Sequence, residues 1–386
     1  MSAASSVHRI TELLHLAGVS PGGNAPHDIH IHDQRFFDRV MAGGSLALGE
    51  SYMDGWWDCL RLDDFFHHVL RARLDRRVRA RSWLWPALKA RLVNRQSIAG
   101  TARMARQHYD LDNDLFRSML DRRMIYSCAY WRGARDLDEA QEQKLDLVCR
   151  KLGLEPGMRV LDIGCGWGGA ARFAARHYGV NVLGVTVSRR QAELAARTCA
   201  GLPVQIRLLD YRQLDGTFDR IFSLGMFEHV GPRHHRAFFE VVDHCLKPDG
   251  LLLLHTIGGN TSVRQTEPWL DRYIFRGSVL PSARNIAEAS EGLFVLEDWQ
   301  GFGADYDRTL MQWHRNFQAA WPELQKKYDE RFRRMWTYYL LSCAGSFRAR
   351  KNQVWQVVRS PAGVAGGFRD PREFTASEHR HLAGQA

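Results

Sequence analysis

An acid and an imidazole, Glu228 and His229, stand directly behind an apolar run in FSLGMFEHVGP, residues 222–232. Charge at the end of a buried strand carries a desolvation cost that partners or a ligand must offset. Three chemistries are open to Glu228: it holds a ligand, takes a proton, or braces a loop. His229 reads as structural. A second candidate is VLDIGCGWGGAARFA (160–174), a strand, a glycine-rich turn and a helix. Gly164, Gly166 and Gly168 allow the backbone to pass close to a ligand at the edge of a sheet. A third, DIHIHD (28–33), alternates like a short strand with His30 and His32 on one face. No third ligand is indicated there, and no metal is expected.

The glycine turn alone does not separate two kinds of cofactor. A dinucleotide site calls for an acid about 20 residues on, to hold the ribose. The second strand ends GVTVS without one. The acid present is Asp162, inside the first strand before the turn. This arrangement favours S-adenosylmethionine (SAM).

The elements that position these residues follow from the spacing of apolar runs. They recur at 158–166, 180–188, 203–210, 218–227 and 250–259, with helical patterns between them. The runs are near-continuous rather than alternating, as in parallel strands covered on both faces. Two more candidates, 293–299 and 352–360, flank a long helical region. The fold class is therefore α/β. Residues 1–95 lack strand–helix alternation and read as a separate helical domain, 96–115 as a connector, and 116–360 as the catalytic domain. The tail 361–386 is poor in large apolar residues and reads as flexible.

Composition bounds the setting. The 386 residues are 45% hydrophobic and 25% charged, as in an ordinary globular protein. The seven cysteines are scattered with no C-x-x-C pair, which suits neither a disulfide framework nor a zinc knuckle and points to a reducing compartment. The N-terminus lacks the apolar core of a signal peptide. No stretch approaches the roughly 18 apolar residues of a membrane span. A cytoplasmic protein is expected. The net charge of +10 is uneven: residues 71–95 hold nine Lys or Arg against one Asp, with Trp83 and Trp85 among them. A solvated helix face is one reading of that block, nucleic acid another. Tryptophan within a basic run favours the third, an anionic membrane surface. No RNA-binding motif accompanies the charge.

Taken together, GESYMDGWW, HYDLDNDLF, YSCAYW, VLDIGCGWGG, GVTVSRRQ, GMFEHVG, LLLHTIG and FGADYDRTLMQW resemble, in this order and over nearly the whole length, the cyclopropane-fatty-acyl-phospholipid synthase family. These are SAM-dependent methyltransferases acting on lipid double bonds. GESYMDGWW points to the two-domain bacterial form. Asp112 departs from the pattern, where the family usually has Gly; Asp tolerates a left-handed turn. The resemblance implies a class I methyltransferase fold, with a mostly parallel seven-stranded sheet and a smaller lipid-binding N-terminal domain. It implies that Tyr126 and Ser127 contact the methionine end of SAM, that Gly164 and Gly166 line its path, and that Thr186, Val187 and Gln191 approach the ribose and adenosine. Asp210 and Tyr211 would frame the adenine. Arg212 stands where some relatives carry an acid and is left out of the site.

An alkene is a poor nucleophile, so the methyl group must come from a sulfonium. The resulting carbocation closes its ring on losing a proton to a well-placed weak base, and water must be kept away. Aromatic faces stabilise such a cation; Tyr306, Tyr130 and Trp131 are candidates. The resemblance implies that the base is bicarbonate, held by Cys128, Glu228, His255, Ile257 and Tyr306, with Cys128 acting through its backbone. The partners expected are a phospholipid bilayer with unsaturated chains, touched peripherally at the inner membrane, and a second copy in a homodimer. Related lipid methyltransferases making methyl-branched or hydroxylated chains are the alternative.

Overall fold

The computed structural model describes residues 3–77 and 113–373. Most of the basic block, including Trp83 and Trp85, lies outside the described residues. So do Asp112, the division at 95/96, most of the connector, and the tail beyond 373.

The N-terminal layer comprises α1 (Ala3–Leu16), β1 (Ile29–Ile31), α2 (Arg35–Met53), β2 (Trp57–Cys59), α3 (Leu62–Arg71) and α4 (Leu74–Arg77). DIHIHD does contain a strand. β1 pairs antiparallel with β2, and His32 Nε2 bonds Asp58 Oδ2 at 2.9 Å. Among the described residues no group of three or more His, Cys, Asp or Glu is placed to hold a metal.

After α5 (Asn113–Met119) and α6 (Leu137–Lys151) the strands β3 (Arg159–Ile163), β4 (Asn181–Thr186), β5 (Val204–Leu208), β6 (Phe218–Leu224) and β7 (Leu246–Gly259) alternate with α7 (Gly169–Tyr178), α8 (Arg189–Thr198) and α9 (His235–Cys245). Next come α10 (Pro268–Tyr273), α11 (Ala283–Ser290), β8 (Val295–Gly301), α12 (Ala304–Leu324), α13 (Glu330–Arg348) and β9 (Asn352–Ser360). All seven apolar runs are strands of one sheet, in the order β5-β4-β3-β6-β7-β9-β8. β3 to β7 run parallel, and β9 is antiparallel to both its neighbours.

Neighbouring residues of a strand face opposite ways, and here both directions are apolar. Val160, Val182, Phe222 and Val358 pack against α6 and α7. Leu161, Ile221, Leu252 and Val357 pack against α9 and α11. The central runs are therefore near-continuously apolar, whereas edge strand β5 exposes Gln205, Arg207 and Leu208. β3 lies between β4 and β6, so the chain reverses its course across the sheet there, and such a switch point opens a crevice at the strands' C-terminal ends.

The N-terminal helices do not enclose a core of their own. Ile10, Phe36, Trp57 and Phe65 belong to one apolar cluster with Trp313 of α12 and Trp336 and Tyr338 of α13. Gly345 lets α13 approach α3 closely, since a Cβ there would lie 2.4 Å from the Asp63 carbonyl oxygen. Arg348 bonds Asp63 at 2.7 Å, Asp64, and Asp307 of α12 at 2.9 Å. The helix that carries Tyr306 is thus tied to the N-terminal layer. The tail lies against the fold as far as residue 373. Val364 and Phe368 pack on the catalytic domain, and Arg372 pairs with Asp298 at 2.8 Å. Among the described residues, no helix is long and apolar enough to cross a membrane.

Candidate active site

A cavity opens at the C-terminal ends of β3, β4 and β6. It is lined by Tyr126, Ser127, Asp162, Gly164, Gly166, Thr186, Val187, Gln191, Asp210 and Tyr211. Every cofactor residue expected from the sequence is on its wall except Gly168. That glycine has φ 81° and lies where α7 meets α8, and a Cβ there would press on Ala195 and Cys199 at 3.0 Å. It serves helix packing, not the cavity. Gly166 is the opposite case. At φ 53° it is left-handed, and an added Cβ would meet nothing within 4 Å, so the cavity beside it is open to a ligand. Asp162 is buried at 1% exposure and its Oδ2 has no hydrogen-bond partner among the described residues. An open cradle and an orphaned carboxyl oxygen suit a ligand with a cationic amino-acid end, as SAM has.

The β4–α8 turn is held internally. Thr186 Oγ1 donates to Gln191 Oε1 at 2.9 Å, which leaves the Gln191 amide N–H₂ to donate elsewhere. Ser188 caps α8 by accepting from Gln191 N. Arg212 belongs to the site, contrary to the sequence reading. It lines the cavity and grips Asp210 through Nε at 2.8 Å and Nη2 at 2.6 Å. Burial pushes the Asp210 carboxyl up, but the Arg212 hydrogen bonds outweigh it and leave it below the usual range. Asp210 is thereby ionised and fixed in orientation. Sequence reasoning also misses Trp167, Met226, Phe275 and Arg276 on the wall, and His229, which reads as structural in the sequence, lies there too. Phe275 and Arg276 follow α10 in an irregular segment, where no motif marks them.

The remaining candidates gather beyond Ser127 and Gly225, at the ends of β6 and β7. Glu228 Oε1 accepts from the Ile257 N–H at 2.6 Å, whereas Oε2 has no well-aligned partner among the described residues. Burial pushes this carboxyl up to about 7, although the Thr256 hydroxyl lies close enough to favour the ionised form. The resemblance has Ile257 meet an anion directly; its N–H is instead taken by Glu228. His255 shares β7 with Ile257, two residues earlier, is buried, and has an unpartnered Nδ1. Burial drives its pKa well below the usual value, so the ring is neutral. The Tyr306 phenol is pushed well above its usual value by burial and by the neighbouring Cys128, Tyr126 and Glu228. Cys128 is fully buried, its thiol donates to the Ala129 carbonyl at 3.2 Å, and burial raises its pKa well above the ordinary value. It is no nucleophile. Tyr130 stands edge-on to Phe302 and Tyr306 edge-on to Trp313, which makes the surroundings aromatic.

A sheet reversing at β3, a glycine cradle beside it and an acid at the strand's end define a class I SAM-dependent methyltransferase. The comparisons narrow this. The family described as mycolic acid cyclopropane synthetase matches residues 96–357. The cyclopropane-fatty-acyl-phospholipid synthase of Escherichia coli strain K12 is 54% identical over 363 residues, 94% of each chain. Among solved structures, the cyclopropane synthase MmaA2 from Mycobacterium tuberculosis is 36% identical with a TM-score of 0.63, over 67% of this chain and 97% of that one. The mycolic acid cyclopropane synthase CmaA1, complexed with S-adenosylhomocysteine (SAH) and CTAB, is 35% identical with a TM-score of 0.62 over the same shares. The chain belongs to the mycolic acid cyclopropane synthetase family.

Proposed function

We propose that this enzyme adds a methylene group from SAM across the cis double bond of an unsaturated acyl chain in a membrane phospholipid, with bicarbonate held by the Glu228 cluster as the base. The observation that carries this reading is that a carboxyl oxygen, Glu228 Oε2, and an imidazole nitrogen, His255 Nδ1, are buried with no well-aligned partner among the described residues. Buried polar atoms are rarely left unpaired in a native protein. This pair, with the Tyr306 hydroxyl, matches a small oxyanion that both donates and accepts. The 54% identity to the E. coli synthase supports the lipid substrate.

Bound SAM supplies an electrophilic methyl group. Bicarbonate held in the cluster would supply a weak base for the proton lost beside the cation. The alkene π pair forms the new C–C bond as the sulfonium C–S bond breaks. Loss of a proton from the added methyl then leaves the pair that closes the ring. The chain's own part is placement. Glu228 Oε2 would accept the bicarbonate O–H, while neutral His255 and the Tyr306 hydroxyl would donate to its oxygens. Ile257 N–H fixes the other Glu228 oxygen. The Tyr130, Phe302, Tyr306 and Trp313 rings keep water out and lend their faces to the cation.

The test is turnover with SAM on vesicles of monounsaturated phospholipid, read by lipid mass spectrometry. Cyclopropane chains are expected, at a rate that falls when carbonate is stripped and returns when bicarbonate is restored. Methyl-branched or hydroxylated products would replace this reading with the related one. We further propose that the protein is cytoplasmic, meets the inner membrane peripherally through its basic block, and works as a homodimer. Binding to anionic vesicles should weaken as salt rises through physiological strength, where the Debye length is about 8 Å. Equal binding to neutral vesicles would sink the membrane reading, and a monomer in sedimentation the dimer.

A further inference from the structure

Lys144 is a buried charge that the proposed chemistry does not use. It sits on α6 behind the cavity wall, with 0% exposure. Its Nζ donates to Ser127 Oγ at 2.9 Å, and no second hydrogen bond reaches it among the described residues. Three residues earlier on the same helix, Gln141 Nε2 donates to the Ser127 carbonyl at 2.9 Å. Two side chains of α6 therefore hold one cavity residue, by its backbone and by its hydroxyl.

The polarity of that grip matters. An ammonium only donates, so Ser127 Oγ is the acceptor and its hydrogen must point elsewhere. No described group accepts it, and Ser127 faces the cavity. Nearby on the same wall, Asp162 offers its unpartnered Oδ2. The wall thus presents a hydroxyl donor backed by a cation, and a carboxyl oxygen. Those are complementary to the carboxylate and the ammonium of an α-amino acid.

We propose that Lys144 is a positioning residue: it makes Ser127 an obligate donor to the carboxylate of SAM's methionine end, while Asp162 receives the ammonium. This rests on the cavity being the SAM site. The titratable groups facing Lys144 are Asp121, Cys128, Asp162 and His255. Burial pushes the amine down to about 8, with Asp121 acting against it, so the ammonium prevails at neutral pH. Burial holds Asp162 up at about 8, and an incoming ammonium favours its ionised form. Lys144 touches no reacting atom; its effect passes through Ser127.

The experiment compares two ligands by calorimetry on the full chain: SAH, and 5′-methylthioadenosine, which keeps the nucleoside and thioether but lacks the amino acid. Lys144→Met should lose about 10-fold or more of its SAH affinity, as expected when a hydrogen bond to a charged group is lost. Methylthioadenosine should stay within about twofold. Ser127→Ala should show the same selective loss, and the double variant no more than either single one. Lys144→Gln, uncharged and able to accept from Ser127, is the second variant should the methionine variant fail to fold, with the same expectation. Equal losses for both ligands would mean a merely structural lysine, and an unchanged SAH affinity would remove the role altogether. Failure of the wild type to bind SAH would overturn the cavity assignment instead.

Discussion

The cofactor cavity and the Glu228 cluster lie side by side yet are built on opposite plans. The cavity is open, and its wall is built largely from the turns that follow the parallel strands. Some of its polar groups are already partnered, as Thr186 is by Gln191 and Asp210 by Arg212, while Asp162 Oδ2 has no partner among the described residues. The cluster is sealed, and its parts come from four distant segments: the loop at 128, the turn at 228, β7 and α12. Two of its polar atoms, Glu228 Oε2 and His255 Nδ1, have no well-aligned partner among the described residues. A ligand that must enter and leave needs a preformed surface. The proposed base, working beside a cation, needs a dry one. Changes in the cavity should therefore act on affinity, and changes in the cluster on turnover.

The largest effect should come from Gly166→Val. It places a branched side chain in the open cradle and forces a left-handed φ of 53° on a residue that resists it. SAH binding should fall by about 100-fold or more, while circular dichroism shows an intact fold. Retained binding on folded protein would erase the cavity half of the contrast.

Glu228→Gln probes the other half. It loses the charge and presents an N–H₂ where an acceptor is needed. Turnover should drop about 10- to 150-fold, with SAH affinity unchanged and partial rescue by added bicarbonate. Tyr306→Phe should be rescued in the same way. If carbonate-stripped wild type keeps its full rate, or neither variant responds to bicarbonate, Glu228 itself becomes the base.

The pH profile sharpens that distinction. With Glu228 held up at about 7 by burial, a reaction needing its ionised form gains rate as pH rises through about 7, and Glu228→Gln should flatten this limb. Stability runs the other way. The folded state keeps a proton that the unfolded chain releases from about 4.5 upward, so stability falls as pH rises from about 4.5 to about 7. Denaturant titration across that window should show a loss of up to about 3 kcal/mol in the wild type, reduced in the glutamine variant.

The smallest effect belongs to Arg212→Ala. Freed of its clamp, Asp210 keeps its place but loses its fixed orientation, and SAH affinity should weaken by a few-fold, on the order of 1 kcal/mol. A loss as large as that of Gly166→Val would mean that Arg212 itself grips the ligand.

The contrast between the two regions also governs how much of each is legible in the chain itself. Backbone period and glycine spacing are local properties, so the seven strands, the cradle at Gly164 and Gly166, and Asp162 beside it are each written in one short stretch. A strand buried on both faces must be apolar throughout, and that pattern survives in the sequence. Gly168 misleads because a left-handed glycine looks the same whether a ligand or a helix occupies the space its Cβ would fill. Arg212 escapes notice through the resemblance to relatives with an acid there, although its grip on Asp210 spans only two residues.

Sequence by itself determined the α/β fold, the SAM loop and, through the resemblance, the residues of the cluster. Tertiary structure alone decided what those residues meet. It spent the Ile257 N–H on Glu228, left Oε2 without a well-aligned partner among the described residues, and drove the Lys144 ammonium against Ser127 from behind the wall. It also merged the N-terminal helices with α12 and α13 into one core. Burial, pairing and pKa depend on every neighbour within a few ångströms, and those neighbours here lie up to hundreds of residues apart in the chain.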